Sequence, residues 1–307
     1  MDDDQALDAY SAAVVRVAER VLPSVASLEV RSARGTGAGS ASVITGDGYL
    51  LTSAHVVHGA ERATATFTDG TQTVADVVGR DVLCDLAVLL ARGDVPAAVV
   101  TGDATTLRVG QLVVAVGNPL GLSGSVTAGI DGAPRPSRPP RAGPGVGEGV
   151  QTDAALNPGS SGGALADSAG RMVGVSTAVA GVGLGLAVPV NPTTMDIVAT
   201  LISHGRVRRA WLGIAGSTVR LAPELATRLG RPDGVQVAQV VPASPAAVAG
   251  LRRGDVVLAI GGESIRTTTT IQRLMVEAAI DRPVEITVWR NGALVDVVAE
   301  PRELSAA

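Results

Sequence analysis

Three side chains in this sequence have the types and the setting that nucleophilic acyl transfer needs. Ser161 sits in Asn157-Pro158-Gly159-Ser160-Ser161-Gly162-Gly163-Ala164-Leu165. A serine hydroxyl is a weak nucleophile until a base takes its proton and hydrogen-bond donors receive the charge that forms on the attacked carbonyl. Glycines around it let the chain turn tightly and bring N–H groups up to a substrate with no side chain in the way. In a G-x-S-G-G pattern the fixed serine is Ser161, not Ser160. Taken alone, the stretch reads equally as a Gly/Ser turn between strands.

Upstream motifs change that balance. His55 ends the apolar run in Leu51-Thr52-Ser53-Ala54-His55-Val56-Val57, and Asp85 heads Asp85-Leu86-Ala87-Val88-Leu89. Base, orienting acid and nucleophile therefore run in the order His, Asp, Ser, as in chymotrypsin-type barrels. A neutral imidazole can take the hydroxyl proton, and a carboxylate can fix its tautomer. Asp81 is a rival acid, but only Asp85 leads an apolar run. His55 and His58 with Cys84 admit a zinc reading; the H-E-x-x-H pattern is absent and no complete ligand set is visible, so neither a metal nor a cofactor is expected. Cys84 reads as a small strand residue and His204 as a solvated one.

The elements that must position these groups are mostly strands. From Val25 to Val190 short β-rich runs, such as Val25–Val30, Ala41–Ile44, Tyr49–Thr52, Leu86–Leu90 and Leu112–Val116, alternate with Gly, Asp and Asn turns, the pattern of an all-β barrel. Before them, Leu7, Val14, Val15, Ala18, Val21 and Leu22 recur at helical spacing until Pro23, which predicts a helix packed on the barrel. Residues 131–149 hold five Pro, three Arg and five Gly, the composition of a long functional or disordered loop. A helical connector, Thr193–Ser203, precedes a second domain. The expected division is an N-terminal helix (1–24), a protease-like domain (25–205) and a small α+β domain (206–307).

Composition narrows the chemistry further. The 307 residues suffice for two cores, and a net charge of −4 gives no basic surface, so nucleic acid is not the expected partner. All 25 basic residues are Arg. With no Lys, a Ser-Lys dyad, a Schiff-base lysine and a P-loop are excluded, since each needs an amine. The five aromatics are few, so Val, Leu, Ile and Ala must build the cores. The single cysteine fits a reducing compartment, the acidic start opposes a signal peptide, and no run is long enough to span a membrane. The expected location is cytoplasmic, or extracytoplasmic if the sequence is a truncated piece.

These motifs resemble the HtrA (DegP-like) serine proteases. The likeness is carried by Gly48–Val57, Asp85–Leu89, Val114-Ala115-Val116-Gly117-Asn118-Pro119-Leu120-Gly121 and Gln151–Gly163, and it runs from about Val21 to Glu303. It implies a mainly β fold: a chymotrypsin-like double β-barrel followed by a small α+β PDZ domain. It implies His55, Asp85 and Ser161 as the triad and the N–H groups of Gly159 and Ser161 as oxyanion donors. Ser160 stands where the family usually has Asn, and Asp131 where the family's regulatory loop usually has an apolar residue. By the spacing of the resembling fold, Ala155 lies where trypsin-like enzymes carry a selecting charge. With Ala178, Leu184 and Leu186 it implies an apolar pocket and cleavage after small or medium aliphatic residues.

Trp211-Leu212-Gly213-Ile214 resembles the carboxylate-binding loop of PDZ domains, and Pro242–Val257 the PDZ core of these proteases. A helix over Thr270–Ala278 would wall the groove, with Leu274 or Met275 as lining. Consecutive free N–H groups can capture a peptide's C-terminal carboxylate while an edge strand accepts the peptide as a further strand. The expected activity is endoproteolysis of unfolded or misfolded proteins without ATP. A non-catalytic chaperone or peptide-binding scaffold and a metal-dependent hydrolase are the alternatives. In the family the N-terminal region often helps hold trimers together, so a homotrimer is one assembly open to the chain.

Overall fold

A computed structural model describes residues 8–32, 35–119, 124–132, 149–179 and 183–304, with the side chains of Ser32, Ala178 and Val179 also outside that set. The chain divides into two compact units, Met1–Val207 and Arg208–Ala307. Most of the Pro-rich loop and Leu7 fall outside the described residues.

In the first unit, helix α1 (Ala9–Val21) begins at Asp8, whose carboxylate accepts the Ser11 N–H at 2.7 Å, an N-cap bond that satisfies an otherwise orphaned donor. It buries Val17 and Val21, while Val15 is 39% exposed, so the buried stripe is rotated from the one the spacing suggested. A single 3₁₀ turn containing Pro23 then delivers the chain into the first sheet. Strands β1 (Val25–Ser32), β2 (Gly35–Val43), β3 (Tyr49–Thr52), β4 (Arg62–Thr66), β5 (Gln72–Asp81) and β6 (Leu86–Ala91) close into a barrel in the order β1-β2-β3-β6-β5-β4. Its core is aliphatic and small, built on Leu28, Val43, Leu50, Leu89 and many alanines around Phe67. Closure leaves no free sheet edge, so the ends of β3 and β6 are held firmly side by side.

A second antiparallel sheet follows: β7 (Leu112–Gly117), β8 (Ser125–Ile130), β9 (Val150–Thr152), β10 (Ala164–Asp167), β11 (Met172–Val179) and β12 (Gly185–Pro189), in the order β8-β7-β10-β11-β12-β9. One bridge, Asp131 to Thr152, joins its outer strands, giving the second barrel-like body that the resemblance implied. Between the two lies a core of Val88, Val114, Val116, Met172, Val175 and Leu201. Helix α2 (Pro192–His204) opens on a reciprocal capping box between Asn191 and Thr194 and buries Val198 and Leu201 in that core. The expected connector is therefore packed structure. Its apolar residues, spaced three apart, do the packing.

The second unit contains β13 (Ala210–Trp211), β14 (Ile214–Arg220), α3 (Pro223–Leu229), β15 (Asp233–Val240), α4 (Pro245–Val248), β16 (Val256–Ile260), β17 (Glu263–Ser264), α5 (Thr268–Leu274), β18 (Val284–Arg290), β19 (Ala293–Ala299) and β20 (Arg302–Glu303). Its main sheet runs β14-β15-β16-β18-β19, so β14 is an edge strand. Helix α5 ends earlier than the expected Ala278. The Met275 carbonyl is taken by the Ala210 N–H at 3.1 Å and Val276 bridges to Arg209, which draws the chain out of the helix. Among the described residues no helix is long and apolar enough to cross a membrane.

Candidate active site

His55 and Asp85 meet because their strands do. Thr52 at the end of β3 pairs with Ala87 near the start of β6, which places the residues flanking those ends together. Asp85 adopts φ +53°, a left-handed conformation that aspartate tolerates better than most residues. Its carboxylate accepts the His55 backbone N–H at 3.0 Å and lies 2.8 Å from His55 Nδ1. Two bonds to one residue fix the imidazole plane. The hydroxyl of Thr177, on β11, donates to the same carboxylate from the opposite body.

Electrostatics follow from these contacts. Burial pushes the Asp85 carboxyl up, but the hydrogen bonds from His55 and Thr177 outweigh it and hold the group below its ordinary value. The Asp85 hydrogen bond raises His55 above its ordinary 6.5, against the opposing effect of burial. The His55 side chain is 51% exposed.

Ser161 lies in the turn between β9 and β10. Its hydroxyl donates to the Thr177 carbonyl, 3.1 Å away, rather than to His55. The backbone of the turn is spent in an alternating way. The Ser160 N–H donates to the Asn157 carbonyl, Gly162 to Ser176 and Gly163 to Ser160. The N–H groups of Gly159 and Ser161 have no acceptor among the described residues. Gly159 and Gly162 have φ of +89° and +85°, and a Cβ at Gly162 would lie 2.1 Å from both the Ser40 carbonyl and the Thr52 hydroxyl. The glycines are there for conformation and clearance alike.

Of the four residues expected to line the pocket, Ala178 and Leu186 lie on neighbouring strands, while Ala155 follows β9 and Leu184 precedes β12. Leu186 of β12 pairs with Ala178 of β11 on one side and Gln151 of β9 on the other. Leu184 and Leu186 are half-buried, and Ala155 is exposed, its carbonyl accepting the Thr127 hydroxyl at 2.8 Å. The Ala178 side chain lies outside the described residues. Sequence reasoning missed Thr177, which carries no motif and is recognisable only once β11 is seen beside Asp85. His58 is exposed, and among the described residues no three His, Cys, Asp or Glu side chains gather as metal ligands.

In the second unit, Trp211 and Ile214 are half-buried and Leu212 and Gly213 buried. The Gly213 carbonyl accepts the Val241 N–H at 2.8 Å and the Leu212 carbonyl that of Ala246 at 2.9 Å, whereas the N–H groups of Leu212 and Gly213 have no acceptor among the described residues. Ile214 opens the edge strand β14, with α5 packed beside it. Met275 is buried in the core and Leu274 packs partly against it.

Comparison with known proteins agrees with this arrangement. Residues 39–175 match the trypsin-like peptidase domain and residues 236–290 the PDZ domain. A probable periplasmic serine endoprotease DegP-like of Halomonas elongata is 37% identical over 83% of this chain, and the putative serine protease HhoB of Synechocystis is 37% identical over 84%. The chain spans 54% and 64% of those relatives' lengths. Among solved structures, the HtrA-type protease AlgW with tripeptide superimposes with TM-score 0.82 at 35% identity, covering 96% of this chain and 98% of that one. A serine endoprotease from Yersinia pestis gives 0.74 at 29%, covering 95% of this chain and 98% of that one.

The relatives correct one expectation. Several are named as periplasmic, which points to an extracytoplasmic location and overturns the cytoplasmic one. The argument failed because a lone cysteine can form no internal disulfide in any compartment, and because the first residues of a chain spanning about half its relatives' length do not report on its compartment. A mainly β fold with two barrel-like bodies, a match to a trypsin-like peptidase and to a PDZ domain, and full-length superposition on a solved relative at 35% identity have one meaning: the chain belongs to the HtrA family of serine proteases.

Proposed function

We propose that the chain is a serine endopeptidase acting on unfolded or misfolded proteins through Ser161, His55 and Asp85, with a second unit that binds peptide C-termini. The observation that carries the proteolytic reading is the pair of unspent N–H groups, Gly159 and Ser161, beside a serine hydroxyl bonded to Thr177, whose own hydroxyl holds the carboxylate that orients His55. In this mechanism the Ser161 hydroxyl turns from the Thr177 carbonyl to His55 Nε2 and gives up its proton as its oxygen attacks the scissile carbonyl. The Gly159 and Ser161 N–H groups receive the oxyanion. His55, its Nδ1–H held by Asp85, passes the proton to the leaving amine, and water attacks the acyl-enzyme by the same route. Thr177 keeps Asp85 ionised and in place. Ala155, Leu184 and Leu186 favour small or medium aliphatic side chains at the cleavage point.

A fluorophosphonate probe tests this reading, since it reacts only with an activated serine. Labelling should map to Ser161, and its rate should fall as pH drops through a midpoint above 6.5. The direction follows from Asp85: the anion stabilises the imidazolium, so a higher pH is needed to free Nε2 as a base. Label on another residue, or a rate flat from pH 5 to 8, counts against the general-base role. One observation favours a second reading, a non-catalytic peptide-binding scaffold: the Ser161 hydroxyl is bonded to Thr177 rather than to His55. That reading requires no labelling at any pH.

The peptide-binding claim is supported by the two unspent N–H groups at Leu212 and Gly213 beside edge strand β14. Solved relatives described with a tripeptide and a decapeptide are in keeping with peptide ligands. Peptides with an apolar last residue should bind the full chain, in its Ser161→Ala form, more tightly as free acids than as amides, by about tenfold for the loss of a charge-assisted bond. Equal affinities in a matched titration would remove carboxylate capture.

A further inference from the structure

Ser40 lies on β2, away from every motif that marks the triad, and is 0% exposed. Its N–H donates to the Ser161 carbonyl at 2.8 Å. Its hydroxyl donates to the Gly159 carbonyl at 2.8 Å and accepts the Asn118 N–H at 2.9 Å. Its carbonyl accepts the Thr52 hydroxyl at 2.6 Å. One small residue thus holds two carbonyls of the nucleophile turn from outside.

The consequence comes from peptide planarity. A trans peptide points its carbonyl and its N–H in opposite directions, so holding one end aims the other. With the Gly159 carbonyl held at Ser40, the Ser160 N–H is aimed at Asn157. With the Ser161 carbonyl held there too, the Gly162 N–H is aimed at Ser176. The peptide between them has its Ser160 carbonyl taken by Gly163 at 3.0 Å, which turns the Ser161 N–H the opposite way and leaves it open. The Gly159 N–H belongs to the peptide just before the one that Ser40 anchors. At Gly159, with φ +89° and no Cβ, nothing intrinsic to the residue prevents rotation once its carbonyl is free.

We infer that Ser40 is a positioning residue that sets the oxyanion-binding N–H groups of Gly159 and Ser161 by anchoring the carbonyls beside them; this rests on the proteolytic reading above. A hydroxyl is required because it donates and accepts at once, and an alanine would leave the buried Asn118 N–H and the half-buried Gly159 carbonyl without this partner.

The experiment uses the purified full chain, a fluorogenic aliphatic peptide substrate and a peptide boronic acid, whose tetrahedral adduct needs the same donors as the transition state. Ser40→Ala should lower kcat about 10- to 100-fold with KM changed less than about threefold. Boronate affinity should weaken by a similar factor, and the pH midpoint of His55 should stay put. Ser42→Ala is the control. That serine is on the same face of β2, equally buried, and its Oγ has no hydrogen-bond partner among the described residues, so activity should hold within about twofold. If Ser40→Ala does not fold, Ser40→Cys replaces it, with a thiol that is only a weak donor, and the same loss in kcat at unchanged KM is expected.

A folded Ser40 variant with wild-type kcat and boronate affinity overturns the inference. So does a loss confined to KM, or an equal loss in Ser42→Ala. A wild-type chain that takes no fluorophosphonate at Ser161 overturns the proteolytic reading and this one together, whereas labelling of wild type and Ser40→Ala at equal rates overturns this one alone.

Discussion

Ser161→Ala is expected to cut hydrolysis of unfolded casein by about six orders of magnitude, to assay background, while the chain stays folded. Among the described residues the hydroxyl makes one hydrogen bond, to the Thr177 carbonyl, so its removal costs stability by about 1 kcal/mol. Ser160→Ala is the matched comparison. Ser160 contributes to the turn through its backbone, with its N–H on Asn157 and its carbonyl taken by Gly163. Neither bond needs the side chain, so that variant should keep most of its activity. Casein turnover and thermal melting of the two proteins decide the matter. Loss in Ser160→Ala with survival in Ser161→Ala would make Ser160, not Ser161, the nucleophile.

Asp85→Asn is expected to lower kcat by about 10⁴-fold with little loss of fold. Asparagine tolerates the left-handed backbone that Asp85 occupies at φ +53°, and its one carbonyl oxygen can still accept the His55 backbone N–H. The amide nitrogen then takes the place of the oxygen that faces both Nδ1 of His55 and the Thr177 hydroxyl. Against Nδ1 it donates, which forces the ring proton onto Nε2, where the base is needed. Against Thr177 it leaves that hydroxyl with no acceptor in place of the present carboxylate. A kcat within about tenfold of wild type would show that orientation of His55 is supplied elsewhere.

What could be read from residues alone was whatever is written locally. The G-x-S-G-G turn, the histidine after Leu51 and the aspartate before Leu86 each carry a short pattern. Strand runs such as Tyr49–Thr52 appear in the structure with the same bounds. Helix ends were less legible where tertiary bonds decide them, as when Ala210 and Arg209 draw Met275 and Val276 out of α5. The packed role of α2 was missed because only a neighbouring sheet tells a buried Val198 from an exposed one. Thr177 and Ser40 were invisible for a related reason. Each acts on residues more than ninety positions away, Thr177 on Asp85 and Ser40 on Gly159 and Ser161. Nothing in S-T-A or G-S-A signals such a contact. Compartment was misread because its cues, one thiol and an acidic start, bear weakly on it.

The division of the site between two sheets also orders events during synthesis. The barrel β1–β6 is complete once Ala91 has emerged, and it carries both His55 and Asp85. At that stage it lacks Ser161 and the Gly159 and Ser161 N–H groups, the proposed nucleophile and oxyanion donors, and it lacks the Thr177 that completes the hydrogen bonding of Asp85. Those arrive only with β9 to β11, and the bonds from Ser40 to Gly159 and Ser161 can form only after the second sheet has docked on the first. Chains fold from the N-terminus as they are made, so a nascent or prematurely ended chain holds a base and an acid that can attack nothing. On the proposed mechanism, the site is thus completed only when both sheets of the first unit have packed, in a chain that no longer resembles the unfolded proteins proposed as its substrates.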